Sequence, residues 1–272
     1  MRHTLLLGLS LALAACESFP VPTDPRVHVS PYYAHYRLRG DVAMQSNPGT
    51  GPEDNAAQSL DALGQGHHAD DAGVRADIGD GFSGIRVDYY QLEMGPRGST
   101  TLTDEFGSIP TGATAQAQPK MDEWRLSLTQ EVYATKMRWR QDPIDMRFGL
   151  GGTWANRRMD VDVRGSDLLG SYAQKLDFGG DVFFGAARFR ATLGQVSLDV
   201  EYALSPDLQT GEWDDVQQDF ETRLSYAVPF QDVTVFAGWR YATLDGSGSA
   251  GGLGYDADMT IDGYQFGVTV TF

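Results

Sequence analysis

Apolar and polar side chains alternate along much of this chain, the period-two pattern of β-strands with two unlike faces. The last segment is the clearest. Tyr264, Phe266, Val268, Val270 and Phe272 fall on one face, with Gly263, Gln265, Gly267, Thr269 and Thr271 on the other. Val196, Leu198, Val200, Tyr202 and Leu204 oppose Ser197, Asp199 and Glu201 in the same way. Ile144, Met146, Phe148 and Leu150 oppose Asp145, Arg147, Gly149 and Gly151; Phe220, Leu224, Tyr226 and Val228 oppose Asp219, Glu221, Arg223 and Ser225. Ten segments follow the rule, over roughly 31–44, 70–79, 83–94, 122–140, 144–163, 176–191, 196–205, 216–228, 232–244 and 259–272. Beyond them no run approaches the ~18 apolar residues of a membrane helix.

The connections alternate too. Short ones at Asp80-Gly81-Phe82, Gln141-Asp142-Pro143, around Gly194 and at Pro229-Phe230-Gln231 take turns with long ones over roughly 45–69, 95–121, 164–175, 206–215 and 245–258. The long ones are rich in Gly, Pro, Ser, Asp and Thr. Hairpins with short turns at one end and long loops at the other form the meander of a transmembrane barrel, with periplasmic turns and external loops. The predicted fold is all-β: an up-and-down antiparallel transmembrane β-barrel of about ten strands, eight or twelve if one hairpin is misjudged. A soluble sandwich would instead bury the apolar faces.

Charge separates these two readings. The chain has 37 Asp and Glu against 21 Lys and Arg, a net charge of −16. Such acidity argues against nucleic-acid partners and against binding bare anionic phosphates. Yet the polar strand faces are nearly balanced. Arg37, Arg39, Arg75, Arg86, Arg125, Arg147, Arg188, Arg190, Arg223 and Arg240 share them with Asp41, Asp77, Asp88, Glu131, Asp145, Asp199, Glu201 and Glu221. Buried ions are tolerable only when paired and hydrogen-bonded. We therefore expect an interior salt-bridge network of Arg37, Arg39, Asp41, Arg75, Asp77, Arg86, Asp88, Asp145, Arg147, Asp199, Glu201, Glu221, Arg223 and Arg240, leaving little or no open channel. Trp139 and Phe230 beside short turns, with Trp124 and Trp154 toward long loops, fit interfacial belts.

At the N-terminus, basic Met1-Arg2-His3 precedes an apolar run from Thr4 to Ala15, too short to span a bilayer. Residues 1–15 read as a signal peptide. Leu13-Ala14-Ala15-Cys16 resembles the lipobox of bacterial lipoproteins. The resemblance implies cleavage before Cys16 and lipidation of its thiol by lipoprotein-processing enzymes, with Glu17 directing the product to the outer membrane. Ala12-Leu13-Ala14 also suits ordinary cleavage, and both routes stay open. Residues 16–30 hold Pro20, Pro22 and Pro25 and read as a tether, and 31–272 as the barrel. Cys16 is the only cysteine, so neither an internal disulfide nor a cysteine metal site is available.

The closing run Tyr264, Phe266, Val268, Val270 and Phe272 resembles the C-terminal β-signal of outer-membrane proteins. That resemblance implies the barrel-assembly machinery and outer-membrane lipids as partners. With the hairpin rhythm, the chain resembles small bacterial outer-membrane barrels. Ten strands is also the number in the omptin proteases and in some adhesin barrels.

Candidate chemistry is sparse. Omptins set an Asp pair opposite a His–Asp pair; here His67, His68, Asp70 and Asp71 share one long loop, no Asp-x-His motif is present, and one loop cannot supply two facing pairs. The cluster could hold a divalent metal weakly, but a polar external loop is the plainer reading. Lipid-hydrolysing barrels need Ser and His facing the bilayer. The one strand histidine, His35, is expected inward with Tyr33, Arg37 and Arg39. Asp256, Asp258 and Asp262 lack EF-hand spacing, and 246–254 lacks the context of a phosphate loop. The sequence thus predicts a non-enzymatic outer-membrane barrel with no cofactor and no metal, structural or a narrow or gated pore with acidic surface loops. A loop-mediated adhesin or receptor, a rim protease or lipid hydrolase, and a soluble periplasmic lipoprotein are the alternatives.

Overall fold

The computed structural model describes residues 25–47, 55–139, 142–206, 209–213 and 216–272. The expected signal peptide, Cys16 and most of the expected tether lie outside the described residues. The strands are β1 (Arg26–Met44), β2 (Gln58–Ser59), β3 (Ala69–Gly79), β4 (Gly84–Glu93), β5 (Thr100–Thr101), β6 (Thr114–Trp139), β7 (Asp142–Ser166), β8 (Ser171–Leu193), β9 (Val196–Leu204), β10 (Gln218–Ala227), β11 (Val233–Ala250) and β12 (Leu253–Thr271). Leaving aside the two-residue β2 and β5, the ten long strands pair antiparallel with their neighbours in sequence, and β12 returns to β1. That last pairing runs from His28↔Thr271 to Met44↔Tyr255 and closes the sheet into an up-and-down barrel. Closure removes both edge strands, so every wall strand has a partner on each side. β1 begins at Arg26, within the stretch expected to be tether.

β12 shows how the sequence builds the wall. Outward from Phe272 to Tyr264 lie only apolar side chains; beyond them, with no change of parity, come Asp262, Thr260, Asp258 and Asp256. Inward, Thr269 and Gln265 give way to Ile261, Met259, Ala257 and Tyr255, all buried. Its two neighbours, β1 and β11, repeat the change. Val74, Ile85, Val87, Leu126, Leu128, Leu150, Leu198, Leu224 and Val235 are exposed on the outer belt. Nine residues at ~3.3 Å rise and ~40° tilt make that belt about 23 Å tall, close to the ~25 Å apolar band of outer-membrane barrels. Tyr89 packs on Trp124 at 4.3 Å along its external edge, and Trp239 lies between Phe220 at 5.9 Å and Tyr241 at 6.2 Å. Such amphipathic rings suit the bilayer–water interface. The chain is a membrane-spanning β-barrel, and its external half is built like a water-soluble protein, apolar inside and polar outside.

This inversion corrects two expected loops. Residues 164–175 and 245–258 are mostly strand: β7 and β8 meet at a turn over 167–170, and β11 and β12 at Gly251-Gly252, with φ of +61° and +83°. Their Ser and Asp face water on an exposed wall, while Gly165, Gly246 and Gly248 lie on the inner face against Ile109, Phe178 and Tyr255, and the combined composition imitates loop. In the β7–β8 turn Asp167 accepts from the amides of Leu169 (2.7 Å) and Gly170 (2.9 Å), which hold its carboxyl below the usual range.

The long loops that do exist complete the wall. β3, β4, β9 and β10 have 11, 10, 9 and 10 residues, about the height of the belt, so gaps open above them. Between β1 and β6 the gap is closed by β2, β5 and the backbone between them. Leu60 N donates to Gly40 O at 3.0 Å, Gly66 N to Gly95 O at 2.9 Å and Met94 N to Pro119 O at 2.9 Å. Leu60, Leu63, Met94, Phe106 and Ile109 are buried in the apolar core of the external half. Between β8 and β11, Glu212 N donates to Gly179 O (3.1 Å) and Ser247 N to Glu212 O (2.8 Å). This crossing needs Gly180, because a Cβ there would overlap the Thr210 carbonyl oxygen. Trp213, buried, stacks on Phe178 at 5.8 Å and donates to Arg157 O at 3.2 Å.

The belt predicts where charge is costly. Val268→Arg, at the centre of the belt, should destabilise the barrel by about 2–4 kcal/mol in urea unfolding from lipid vesicles. Gln118→Arg, on the outer wall of the external half beside Glu93, should stay within about 0.5 kcal/mol. Equal costs would refute the inversion.

Candidate functional site

Inside the belt the inward parity gathers charge. Arg75 and Asp77 come from β3, Arg86 and Asp88 from β4, Glu123 and Arg125 from β6, and Arg157 from β7. β8 adds Arg188 and Arg190, β9 Asp199 and Glu201, β10 Asp219, Glu221 and Arg223, and β11 Arg240. Eight guanidinium groups thus meet seven carboxylates in a narrow lumen.

They form tiers. Uppermost, Arg240 reaches Asp219 (2.6 Å) and Glu123 (2.7 Å), Arg125 reaches Asp219 (2.9 Å), and Arg157 pairs with Glu123 and donates to Gln217 Oε1 at 2.5 Å. Below, Arg75 makes a fork with both oxygens of Glu221, each at 2.8 Å, and pairs with Asp88, which also accepts from the Tyr32 hydroxyl at 2.9 Å. Arg86 joins Asp77 (2.7 Å) to Glu201 (2.9 Å). Arg75–Glu221 ties β3 to β10, Arg86–Glu201 ties β4 to β9, and Arg240–Glu123 ties β11 to β6. None of these strand pairs is adjacent in the sheet, so the bonds cross the lumen. Forked charge-assisted bonds of this kind are the strong, directional ones.

The lowest tier holds the β3–β4 turn in the periplasmic mouth. Asp80 Oδ1 accepts from Phe82 N (2.9 Å) and Ser83 N (2.6 Å), shaping a turn that points Phe82 inward, 2 % exposed. The guanidiniums of Arg147, Arg188 and Arg190 face its ring at 4.6, 5.1 and 5.4 Å. Arg188 also donates to Phe82 O (3.0 Å) and Arg190 to Gly81 O (2.9 Å), and both share Asp199. Beside this cork lies a cavity of about 170 Å³ lined by His28, Arg188, Arg190, Arg223 and several hydroxyls. Higher up, the space among Arg75, Glu201 and Glu221 shrinks to about 10 Å³.

Of the residues expected in the lumen, the structure brings together Arg75, Asp77, Arg86, Asp88, Asp199, Glu201, Glu221, Arg223 and Arg240. Arg37, Arg39 and Asp41 lie elsewhere, on the outer wall of the external half, where Arg37 and Arg39 approach Asp262 at 3.6 and 3.4 Å. The inward positions of β1 are Tyr32, Ala34, Tyr36, Leu38 and Val42. Taking the polar parity as inward fails once a strand has left the bilayer. Arg147 sits at the periplasmic rim, paired with Glu131 and Asp80, and Asp145 pairs with Lys136 at 3.5 Å on the exposed end of the β6–β7 hairpin. Glu123, Arg157 and Asp219 were not expected in the network. Arg157, fully buried, shares the parity of Arg147, and that alternation would have found it.

His35 is a second correction. It faces outward just above the belt, with Nδ1 2.5 Å from Asp70 Oδ1 and its ring stacked on His68 at 4.5 Å. His67 stands 3.7 Å from Asp61, and Asp71 accepts from Glu93 N at 2.9 Å. β1–β3 pairing thus joins His35 to a cluster that the sequence assigned to a separate loop. A His–Asp pair can orient an imidazole as a base. Among the described residues, however, no serine or threonine is bonded to His35, and no three His, Cys, Asp or Glu are grouped to hold a metal ion. Tyr264, Phe266, Val268, Val270 and Phe272 face outward from the belt on the strand that closes the barrel.

No known protein family and no curated protein matches the sequence. Solved structures similar to it include Neisserial surface protein A, at 14 % identity over 90 % of this chain and 97 % of that one, TM-score 0.33. The outer membrane protease OmpT from Escherichia coli is 11 % identical over 91 % and 97 %, TM-score 0.40. Ail, the attachment invasion locus protein of Yersinia pestis solved with the heparin analogue sucrose octasulfate, is 8 % identical over 90 % and 100 %, TM-score 0.30.

Breaking the network should cost far more than breaking an outer-wall pair. Glu221→Gln leaves Arg75 with one carboxylate and should lower unfolding free energy by about 3–5 kcal/mol. Asp262→Asn should cost about 1 kcal/mol or less. Urea titration of the refolded barrel followed by tryptophan fluorescence measures both.

Proposed function

We propose that this chain is a sealed, non-enzymatic barrel of the bacterial outer membrane that works through its external half, not through its lumen. The observation that carries this reading is the set of ion pairs crossing the lumen between non-neighbouring strands, above a mouth corked by Phe82. A solute would have to part several buried pairs in succession, each at a cost that grows as water is excluded. The external half supports the other side of the proposal. Its wall is rigid strand, and outward-facing Asp122, Asp160, Asp162, Asp177, Asp256 and Asp258 make it acidic. Such a surface favours a cationic partner by steering and complementarity. In this reading outer-membrane lipids surround the belt, the barrel-assembly machinery recognises the β12 terminus, and lipoprotein-processing enzymes act at Cys16.

Single-channel recording in a planar bilayer tests the seal. The refolded protein, checked by its heat-dependent shift on an unboiled gel, should give no discrete current steps. A variant combining Arg75→Ala with Phe82→Ala should give them. Reproducible steps from the unaltered barrel would refute the sealed lumen.

A further inference from the structure

The cavity beside the Phe82 cork is a polar space that the ion-pair network does not fill, and its charge is lopsided. Two of the three carboxylates on its lining are committed: Asp77 to Arg86 at 2.7 Å, and Asp80 to Arg147. Asp199 alone then serves Arg188 (3.0 Å) and Arg190 (2.8 Å), while Arg223 has no carboxylate within ion-pair distance among the described residues. Arg223 donates from Nη2 to the Thr269 hydroxyl at 2.8 Å, and its guanidinium lies 3.7 Å over the Phe236 ring, which fixes its plane. Its Nε–H is buried with no partner, and so is Nε2 of His28, whose Nδ1 meets Thr271 at 2.9 Å. A buried donor left unsatisfied, as the Nε–H of Arg223 is, costs about 1–3 kcal/mol and calls for an explanation; Nε2 of His28 donates or accepts according to its tautomer.

We propose that this cavity binds a small tetrahedral oxyanion of the phosphate class entering from the periplasmic mouth. The lining sets Arg86, Arg188, Arg190 and Arg223 against Asp77, Asp80 and Asp199, one positive charge in excess, and Arg223 is the guanidinium left without a carboxylate for an oxyanion to meet. The donors converge from β1, β8, β10 and β12, so they surround a three-dimensional acceptor and not a flat one. A cavity of about 170 Å³ has room for the ion. The chain's net charge of −16 does not oppose binding, because the outer-wall acids lie beyond a belt about 23 Å tall, more than two Debye lengths of ~8 Å from the mouth. Arginine forks are suited to phosphate oxygens. The proposal stands whether or not the external half has a partner.

The test is calorimetric titration of the refolded full barrel with inorganic phosphate, at constant ionic strength. Saturable binding is expected at one ion per barrel, at least tenfold weaker in Arg223→Gln and unchanged in Arg39→Gln on the outer wall. Acetate, a planar carboxylate, should bind at least tenfold more weakly than phosphate. No saturable heat would mean a merely hydrated cavity and would overturn the proposal, as would equal affinity in Arg223→Gln or equal binding of acetate. If Arg223→Gln loses its heat shift on the gel, Thr269→Val decides. Removing the hydroxyl that holds Arg223 should weaken phosphate at least threefold, and unchanged affinity would overturn the assignment.

Discussion

Charge neutrality across a narrow lumen is the constraint on which the rest of this barrel depends. A guanidinium pointing inward from one wall has few places to find a counter-ion, and its neighbours on the same strand are too few to satisfy it. Arg75 solves the problem by reaching across to Glu221, Arg86 by reaching Glu201, and Arg240 by reaching Glu123. Each strand must therefore hold its register to within a residue, since a slip of one would turn the charged set out to lipid. The belt outside and the ion pairs inside are two faces of one alternating pattern.

Above the bilayer the solvents change places, and the chain answers without altering its backbone. Outside the belt the neighbour is lipid; outside the external half it is water. The same parity of β12 carries Phe266 in the first and Asp258 in the second, while its inner parity passes from Gln265 to Met259. Short strands end where the belt ends, and their loops return as wall, packing Leu60, Leu63 and Trp213 into a core that a soluble protein would recognise. That core and the tiers below it share one continuous interior, so the two halves brace one another.

Much of this was legible in the sequence, and its failures have a common cause. Alternation located all ten wall strands, because it survives on either side of the bilayer edge. What alternation lacks is a sign: it separates two faces without saying which is inner. From Phe272 to Tyr264 the apolar face is outer and the assignment is easy. At Arg37 and Arg39 the polar face is outer, and β1 alone gives no warning of the change. Ser247, Asp256 and Asp258, on the outer face, imitated a loop for the same reason. The meeting of His35 with Asp70, and of Arg75 with Glu221, depends on sheet pairing and curvature, which one-dimensional periodicity does not encode.

The cross-lumen bonds also tie the neutralisation of the lumen to the closing of the sheet. Arg75 and Glu221 stand 146 residues apart, and their strands are brought face to face only when β12 meets β1. Until closure, an open sheet displays a row of solvated arginines and carboxylates that a bilayer core rejects; at closure the same groups neutralise one another together. Contacts so distant in sequence must first meet a large loop-closure entropy and are slow to form. Completing the circle is thus what lets the inward charges neutralise one another out of water.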